Sequence, residues 1–496
     1  MNRATWIVWS AALLLAGCGG GNHGDGGPPQ AACAGNAQLP CSLGLSGTNI
    51  ELDPFLAATL SARLSFTAPE SGTVRVTVQG MGADGVAITH TFNDSATDFV
   101  LPVLGLYPDH QNTVVIDFFA DAGDTTQDIL VVTTGSVTTP VIELIQNSLP
   151  ADDTGLFLFT GQKAAFDQHG IIRWSYQGEA AQFYAQLPNG NLLGIINDAP
   201  ILYHFPRFAE FTLLGEKVRE YTIPNYGHHE LVELPWGNFL AASNSALINA
   251  VQDGVPEEDV LVEIDADTGL VVQTWDFNQI LDPTRPPIPS NSRPDDWLHL
   301  NSATYDDSDN SIIITGQRQS LIAKIDYETQ ALKWILGAHE QWPVNLQDKL
   351  LTPVDSNGDL IDPNTVDFWP YGPHASLTFG GGSVSVFDNG SFRGWYADAN
   401  VPSASYSRAI EYQVDEVNME VQIVWQYDAG QSLFTAITGD VDYLDNGNYL
   451  VGFAGPSADT PRVIEVTLAG DVLFEAVSDR TTSEYRVEKI DLYQAY

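Results

Sequence analysis

The sequence predicts an all-β protein, a six-bladed β-propeller preceded by a small β-sandwich. Three observations lead there. Between residues 46 and 141, short runs alternate apolar and polar side chains, as in Gly72-Thr-Val-Arg-Val-Thr-Val and Thr113-Val-Val-Ile-Asp-Phe-Phe, the period of half-buried strands. After Pro150 a loose unit of four apolar strands recurs, its fourth strand often carrying Trp. Gly- and Asn-rich turns suited to φ > 0 punctuate these units, as tight hairpins require.

At the N-terminus, residues 1–17 read as an export signal. Arg3 supplies the positive end, residues 6–15 form an apolar run too short to span a bilayer, and Ala16 and Gly17 are small. Leu15-Ala16-Gly17-Cys18 resembles the lipobox of bacterial lipoproteins, so Cys18 is the expected lipidation site. Each buried acyl CH₂ contributes roughly 0.8 kcal/mol, so two or three chains tether a protein firmly. Residues 18–45 form a flexible tether, Gly-rich over 19–27. In an oxidising periplasm its remaining cysteines, Cys33 and Cys41, most simply form one disulfide. Gly19 after the cysteine favours the outer membrane over the inner one.

The sandwich is placed at 46–141 and the propeller at 150–496. Turns at Asn189-Gly190-Asn191, Gly237-Asn238, Asp309-Asn310, Gly380-Gly381-Gly382 and Asn446-Gly447-Asn448 mark hairpins. Fourth strands fall at 171–174, 218–221, 271–275, 332–334, 421–425 and 472–474, which counts six blades, with seven the nearest alternative. A C-terminal strand at 485–492 is expected to pair with the first unit and close the ring.

A formal net charge of −43 excludes nucleic acid as a partner, because a phosphate backbone would be repelled. No Walker loop or GxGxxG element occurs in a βα context, so no nucleotide cofactor is expected. The Asp-rich turns 306–310 and 355–359 are the candidates for a structural Ca²⁺, although the ligand spacing of an EF-hand is missing.

His229 precedes its turn glycine Gly237 by eight residues, His374 precedes Gly381 by seven, and His299 precedes Asp309 by ten. All three therefore start the first strand of a blade, the strand that lines the central channel, and three imidazoles converge on the axis. His228 faces away from His229 if that strand is regular. His169, His204 and His339 hold no equivalent position. Three neutral imidazoles are also zinc ligands, a reading weakened by the lack of a short-spaced pair, and no metal ligand is assigned.

The stretch Asp296-Trp-Leu-His-Leu-Asn-Ser, continuing to Ser311-Ile-Ile-Ile-Thr-Gly-Gln-Arg-Gln-Ser and Lys333-Trp-Ile-Leu-Gly-Ala-His-Glu, resembles the central signature of bacterial arylsulfate sulfotransferases. Gly227-His-His-Glu, Pro373-His-Ala-Ser leading to Val386-Phe-Asp-Asn-Gly, Tyr406-Ser-Arg-Ala and Leu101-Pro-Val-Leu-Gly-Leu-Tyr-Pro extend the resemblance over about residues 45 to 490. The resemblance implies that His374 is a nucleophile transiently carrying a sulfuryl group, with His229, His299, Asn301 and an arginine around it. His228 is added as a substrate contact. It also implies an aryl sulfate donor, a phenol acceptor, and a homodimer through the N-terminal sandwich. One departure stands out. Where the family carries Arg eighteen residues after the histidine of the His-x-Asn-Ser element, this chain has Gln317, with Arg318 next. Adjacent strand residues face opposite sides, so Arg318 replaces the charge only if a bulge re-aims it. Otherwise the expected outcomes are slow transfer, another arginine such as Arg393 or Arg408 in its place, or preference for a different ester. The competing functions are a metal-assisted hydrolase or lyase at the three histidines, and a non-catalytic ligand-binding propeller.

Overall fold

In the sandwich, the long strands Ala62–Val78 and Ile88–Val103 pair antiparallel and slip register between Thr67 and Gly72. The ribbon changes partners at this slip. Residues 62–67 pair with Ser46–Leu52, whereas 72–78 pair with Gln111–Ala120, which pairs in turn with Thr125–Thr133. Alternation puts Leu64, Phe66, Val74, Val76 and Val78 on the inner face, against Phe99, Leu101, Ile116 and Phe118. Gly72 is required at the bend, because a Cβ there would lie 2.3 Å from the Phe119 carbonyl oxygen. The computed structural model describes residues 46–82, 85–198, 204–245, 259–289, 296–397, 406–453, 460–480 and 484–496. The proposed lipidation site Cys18 and the Cys33–Cys41 pair lie outside the described residues.

The remaining strands form six four-stranded units, as predicted. The first is Val487–Ile490, Leu156–Phe159, Ala164–Phe166 and Ile172–Ser175, so the C-terminal strand closes the ring as the innermost member of blade 1. Blade 2 comprises Gln182–Gln186, Leu192–Ile196, Phe205–Phe211 and the first part of Lys217–Glu233. That strand runs on into the channel to start blade 3, followed by Phe239–Ser243, Val260–Ile264 and Val271–Asp276. Blade 4 is Leu300–Asp306, Ser311–Gly316, Leu321–Asp326 and Leu332–Gly337. Blade 5 begins at His374–Gly380 and blade 6 at Asp440–Tyr443. Neighbouring inner strands touch in sequence around the axis.

Trp174, Trp275, Trp334 and Trp425 are buried in the fourth strands, where each fills the wedge between blades. The expected turns have the backbone their residues favour, with φ of 79° at Gly190, 88° at Gly237, 54° at Asn310 and 84° at Gly447. Two described strands have no counterpart in the sequence reading. Thr352–Pro353 pairs parallel with Glu420–Tyr427 at the outer edge of blade 5. Ile142–Asn147, in the connection before Pro150, pairs with Val472–Ser478 as a fifth, outermost strand of blade 6. Both ends of the propeller chain are thus locked into the ring. The sandwich docks on blade 1 through Arg173, whose guanidinium donates to Gly105 O and Val86 O, stacks 3.7 Å above the Tyr107 ring and pairs with buried Asp167 at 3.0 Å.

Candidate active site

Each histidine-bearing inner strand begins irregularly. The ladder slips between Gly227 and Leu231 in blade 3, between Leu300 and Ser302 in blade 4, and between His374 and Leu377 in blade 5. At these bulges His229, His299 and Ala375 adopt φ of 48°, 54° and 50°. Such conformations cost about 1–3 kcal/mol each for non-glycine residues and persist only where surrounding structure holds them. Their effect is to turn side chains out of strict alternation toward the axis.

This irregularity changes the place of His228. A regular strand would aim it away from His229, yet the two Nδ1 atoms lie 3.0 Å apart. His228 Nε2 lies 2.9 Å from Ser243 O, an acceptor, so Nε2 carries the proton and Nδ1 accepts from His229. The His229 ring lies 4.5 Å from that of His299. His299 Nδ1 is 2.5 Å from Oδ2 of Asp296, a carboxylate only 1% exposed, which fixes the Nδ1–H tautomer and leaves Nε2 for chemistry.

His374 is held as firmly. Its Nδ1 lies 2.6 Å from Asn389 Oδ1 and 3.3 Å from Gly372 O, so Nδ1 is the donor. The Asn389 amide cannot turn over, because its Nδ2 donates to Thr435 O at 2.9 Å and Thr438 O at 2.7 Å. The lone pair therefore sits on Nε2, which accepts from the Thr438 N–H at 3.2 Å. Burial first, and then the nearby His299, push the His374 pKa down to about 3, against the opposing hydrogen bond to Asn389. The ring is thus neutral at any ordinary pH. Between its usual 6.5 and about 3 the unfolded chain binds a proton that the folded chain refuses, so stability falls as pH drops through that window. Acid melts of wild type and His374→Asn are expected to show a smaller loss in the variant across that range, and equal losses would contradict the buried neutral ring.

Tyr485, which the sequence reading did not single out, stands between the histidines. Its ring is 5.9 Å from His229 and 6.5 Å from His374, and its hydroxyl donates to Asn301 O at 3.0 Å. Burial raises its pKa, keeping the phenol protonated. Arg486 follows and pairs with Glu230 at 2.6 Å. Both come from the closing segment, whose strand was expected but whose channel-facing residues were not considered. Asn301 is fully buried and donates to Pro373 O at 3.2 Å, tying blade 4 to the residue before His374.

Gln317 N–H bonds His299 O at 3.0 Å, so Gln317 begins beside the cluster. Arg318 is buried and donates from Nε to Asp296 O at 3.2 Å. Arg408 reaches Asp388 at 2.9 Å, Gln426 at 3.0 Å and Asp367 O at 2.7 Å, while Arg393 joins the same Asp388 at 2.8 Å. Neither of these two is brought to the histidines. They brace Asp388, the neighbour of the Asn389 that orients His374. At the proposed calcium turns, Asp306 and Asp309 pair with Lys324 and Lys333, and Asp355 Oδ1 accepts the Asn357 and Asp359 N–H groups of its own turn.

The family model described as arylsulfotransferase (ASST) matches residues 125–486, and that of the arylsulfotransferase Ig-like domain matches residues 49–135. Two proteins named arylsulfate sulfotransferase AssT are similar over 82% of this chain and 84% of their own lengths. The one from Lelliottia amnigena is 26% identical and the one from Escherichia coli 27%. Among solved structures, the Dos1 propeller aligns with 64% of this chain and 62% of its own, at a TM-score of 0.29 and 10% identity, too low to bear on the argument.

Proposed function

The chain belongs to the arylsulfotransferase family, and from that premise we propose that it moves a sulfuryl group from an aryl sulfate to a phenol through a sulfurylated His374. The observation that carries this reading is the Nε2 lone pair of a neutral imidazole, presented at the axis by Asn389. In the first step Nε2 bonds to sulfur as the aryl oxygen–sulfur bond breaks, and His299 in its imidazolium form, with Nδ1–H kept on Asp296, gives its Nε2 proton to the departing phenolate. Asp296 pairs the His299 charge before that transfer. In the second step the acceptor phenol loses its proton to His299, its oxygen bonds to sulfur, and the nitrogen–sulfur bond breaks. Charge spreads over the sulfuryl oxygens as in phosphoryl transfer, so positioned donors matter more than a strong base. The Thr438 N–H, released from His374 Nε2 once that nitrogen bonds to sulfur, is a donor of the right kind.

Export, a lipid anchor at Cys18 and a homodimer through the sandwich belong to the same proposal, supported by the N-terminal sequence and the family resemblance. The test is metal-stripped protein with p-nitrophenyl sulfate, with and without phenol. Phenol-stimulated nitrophenol release is expected. Release that requires Zn²⁺ and is not stimulated by phenol would favour the hydrolase reading, and none across several aryl sulfates a binding propeller.

Gln317 supplies a further prediction. Losing one oxyanion donor costs about 10²–10³ in rate in comparable sites, so Gln317→Arg is expected to raise kcat for aryl sulfates by about tenfold or more. An unchanged kcat would mean that a charge at this position does not limit transfer.

A further inference from the structure

Beyond the histidines, the same inner strands line a second space. A cavity of about 270 Å³ is walled by residues that follow the site in each strand, including Glu230, Glu233, Asp440, Asp442, Arg486 and Glu488. Asp440 and Asp442, two apart on the first strand of blade 6, face the same way. Glu488 comes from the closing strand of blade 1. One ligand oxygen from each can be chosen so that all lie within 4.8 Å of one another. The Asp442 Oδ2 atom is sealed from solvent and has no hydrogen-bond partner among the described residues. Asp440 receives the Val487 N–H only at 3.4 Å. The one guanidinium in the wall, that of Arg486, is engaged with Glu230. A buried carboxylate oxygen without a donor is costly unless a proton or a cation satisfies it.

We propose that Asp440, Asp442 and Glu488 bind one Ca²⁺ ion in the axial cavity, joining the closing strand of blade 1 to blade 6. Oxygens on one Ca²⁺ lie at 2.3–2.6 Å from it and so at most about 5 Å apart, and three carboxylates from two strands suit its irregular coordination better than Mg²⁺, which demands near-ideal octahedral geometry at 2.0–2.1 Å. The all-oxygen donor set suits a hard cation, and the cavity has room for completing waters. Burial first, and then mutual repulsion, raise Asp442 well above the usual carboxylate range, and burial with the charge of Asp440 pushes Glu488 up to about 8. Carboxylates bind the ion deprotonated, so protons compete with it, in a cavity whose other titratable walls are Glu230 and Glu233 beside Arg486. The bound charge would also offset carboxylates lying next to a site for an anionic ester.

The test is calorimetric titration of chelator-stripped, full-length protein with CaCl₂ and, separately, MgCl₂ at pH 6 and 8.5, with thermal melts alongside. One saturable Ca²⁺ site is expected. It should be tighter at pH 8.5, release protons, raise Tm, and be at least tenfold weaker for Mg²⁺. Asp442→Asn and Glu488→Gln should each weaken it tenfold or more. No saturable Ca²⁺ binding by wild type at pH 8.5 would overturn the proposal, whether or not the variants fold. Unchanged affinity in either folded variant would do so too.

Discussion

His374→Ala is expected to lower sulfuryl transfer by about 10⁴-fold or more, since removing a covalent nucleophile removes both half-reactions. The geometry makes this the largest single effect. His374 has its Nδ1 fixed on an amide that is itself immobilised by two carbonyls, and burial holds its pKa down to about 3, so its Nε2 keeps a lone pair at ordinary pH. Structural damage should be moderate. The substitution strands Asn389 Oδ1, which costs about 1–3 kcal/mol, and Ser302 still bonds the Ser376 N–H at 2.9 Å to hold blades 4 and 5 together. Steady-state rates with p-nitrophenyl sulfate and phenol, alongside a melt, check both parts. A loss below tenfold in a folded variant would remove His374 from the chemistry.

The second large effect belongs to His299. Its Nδ1 is committed to Asp296 and its ring lies against that of His229, and the proposed mechanism has its Nε2 exchange a proton with the phenol oxygens. General acid–base catalysis contributes about 10²–10⁴-fold, and His299→Ala should lose that amount with donors whose phenolates are strongly basic. With p-nitrophenyl sulfate, whose leaving group needs little protonation, the first step should lose far less. A loss independent of leaving-group basicity, measured in single turnovers, would reassign His299 to binding. Asp296→Asn should follow the same pattern more weakly, because the amide can still bond Nδ1 but cannot pair the charge.

The propeller was legible because its signals are local. Turn glycines and asparagines announce their own φ, and Trp174, Trp275, Trp334 and Trp425 recur on fourth strands because each blade needs a bulky residue between itself and the next. The convergence of the three histidines followed from their similar places, seven to ten residues ahead of those turns. Their environment did not follow, because bulges break the alternation from which side-chain directions are read. His228 turns to His229 for this reason, and His299 gains φ of 54° at the start of its strand. The partners that set tautomers are long-range or aperiodic. Asn389 meets His374 across fifteen residues, and Tyr485 reaches the axis from the far end of the chain. Arg408 looked available to substrate only while its partner Asp388, twenty residues away, was unknown. The strand Ile142–Asn147 was hidden likewise, since its partner Val472–Ser478 lies at the other end of the propeller.

The central claim is a covalent sulfuryl group on His374, and the most direct measurement is to trap it. Protein mixed with an aryl sulfate labelled at sulfur, without acceptor, should keep about one label per chain on the peptide containing His374. Added phenol should remove that label as aryl sulfate. Rapid transfer to phenol with no label ever held by the protein, and unimpaired in His374→Ala, would instead mean direct passage of the group between the two oxygens.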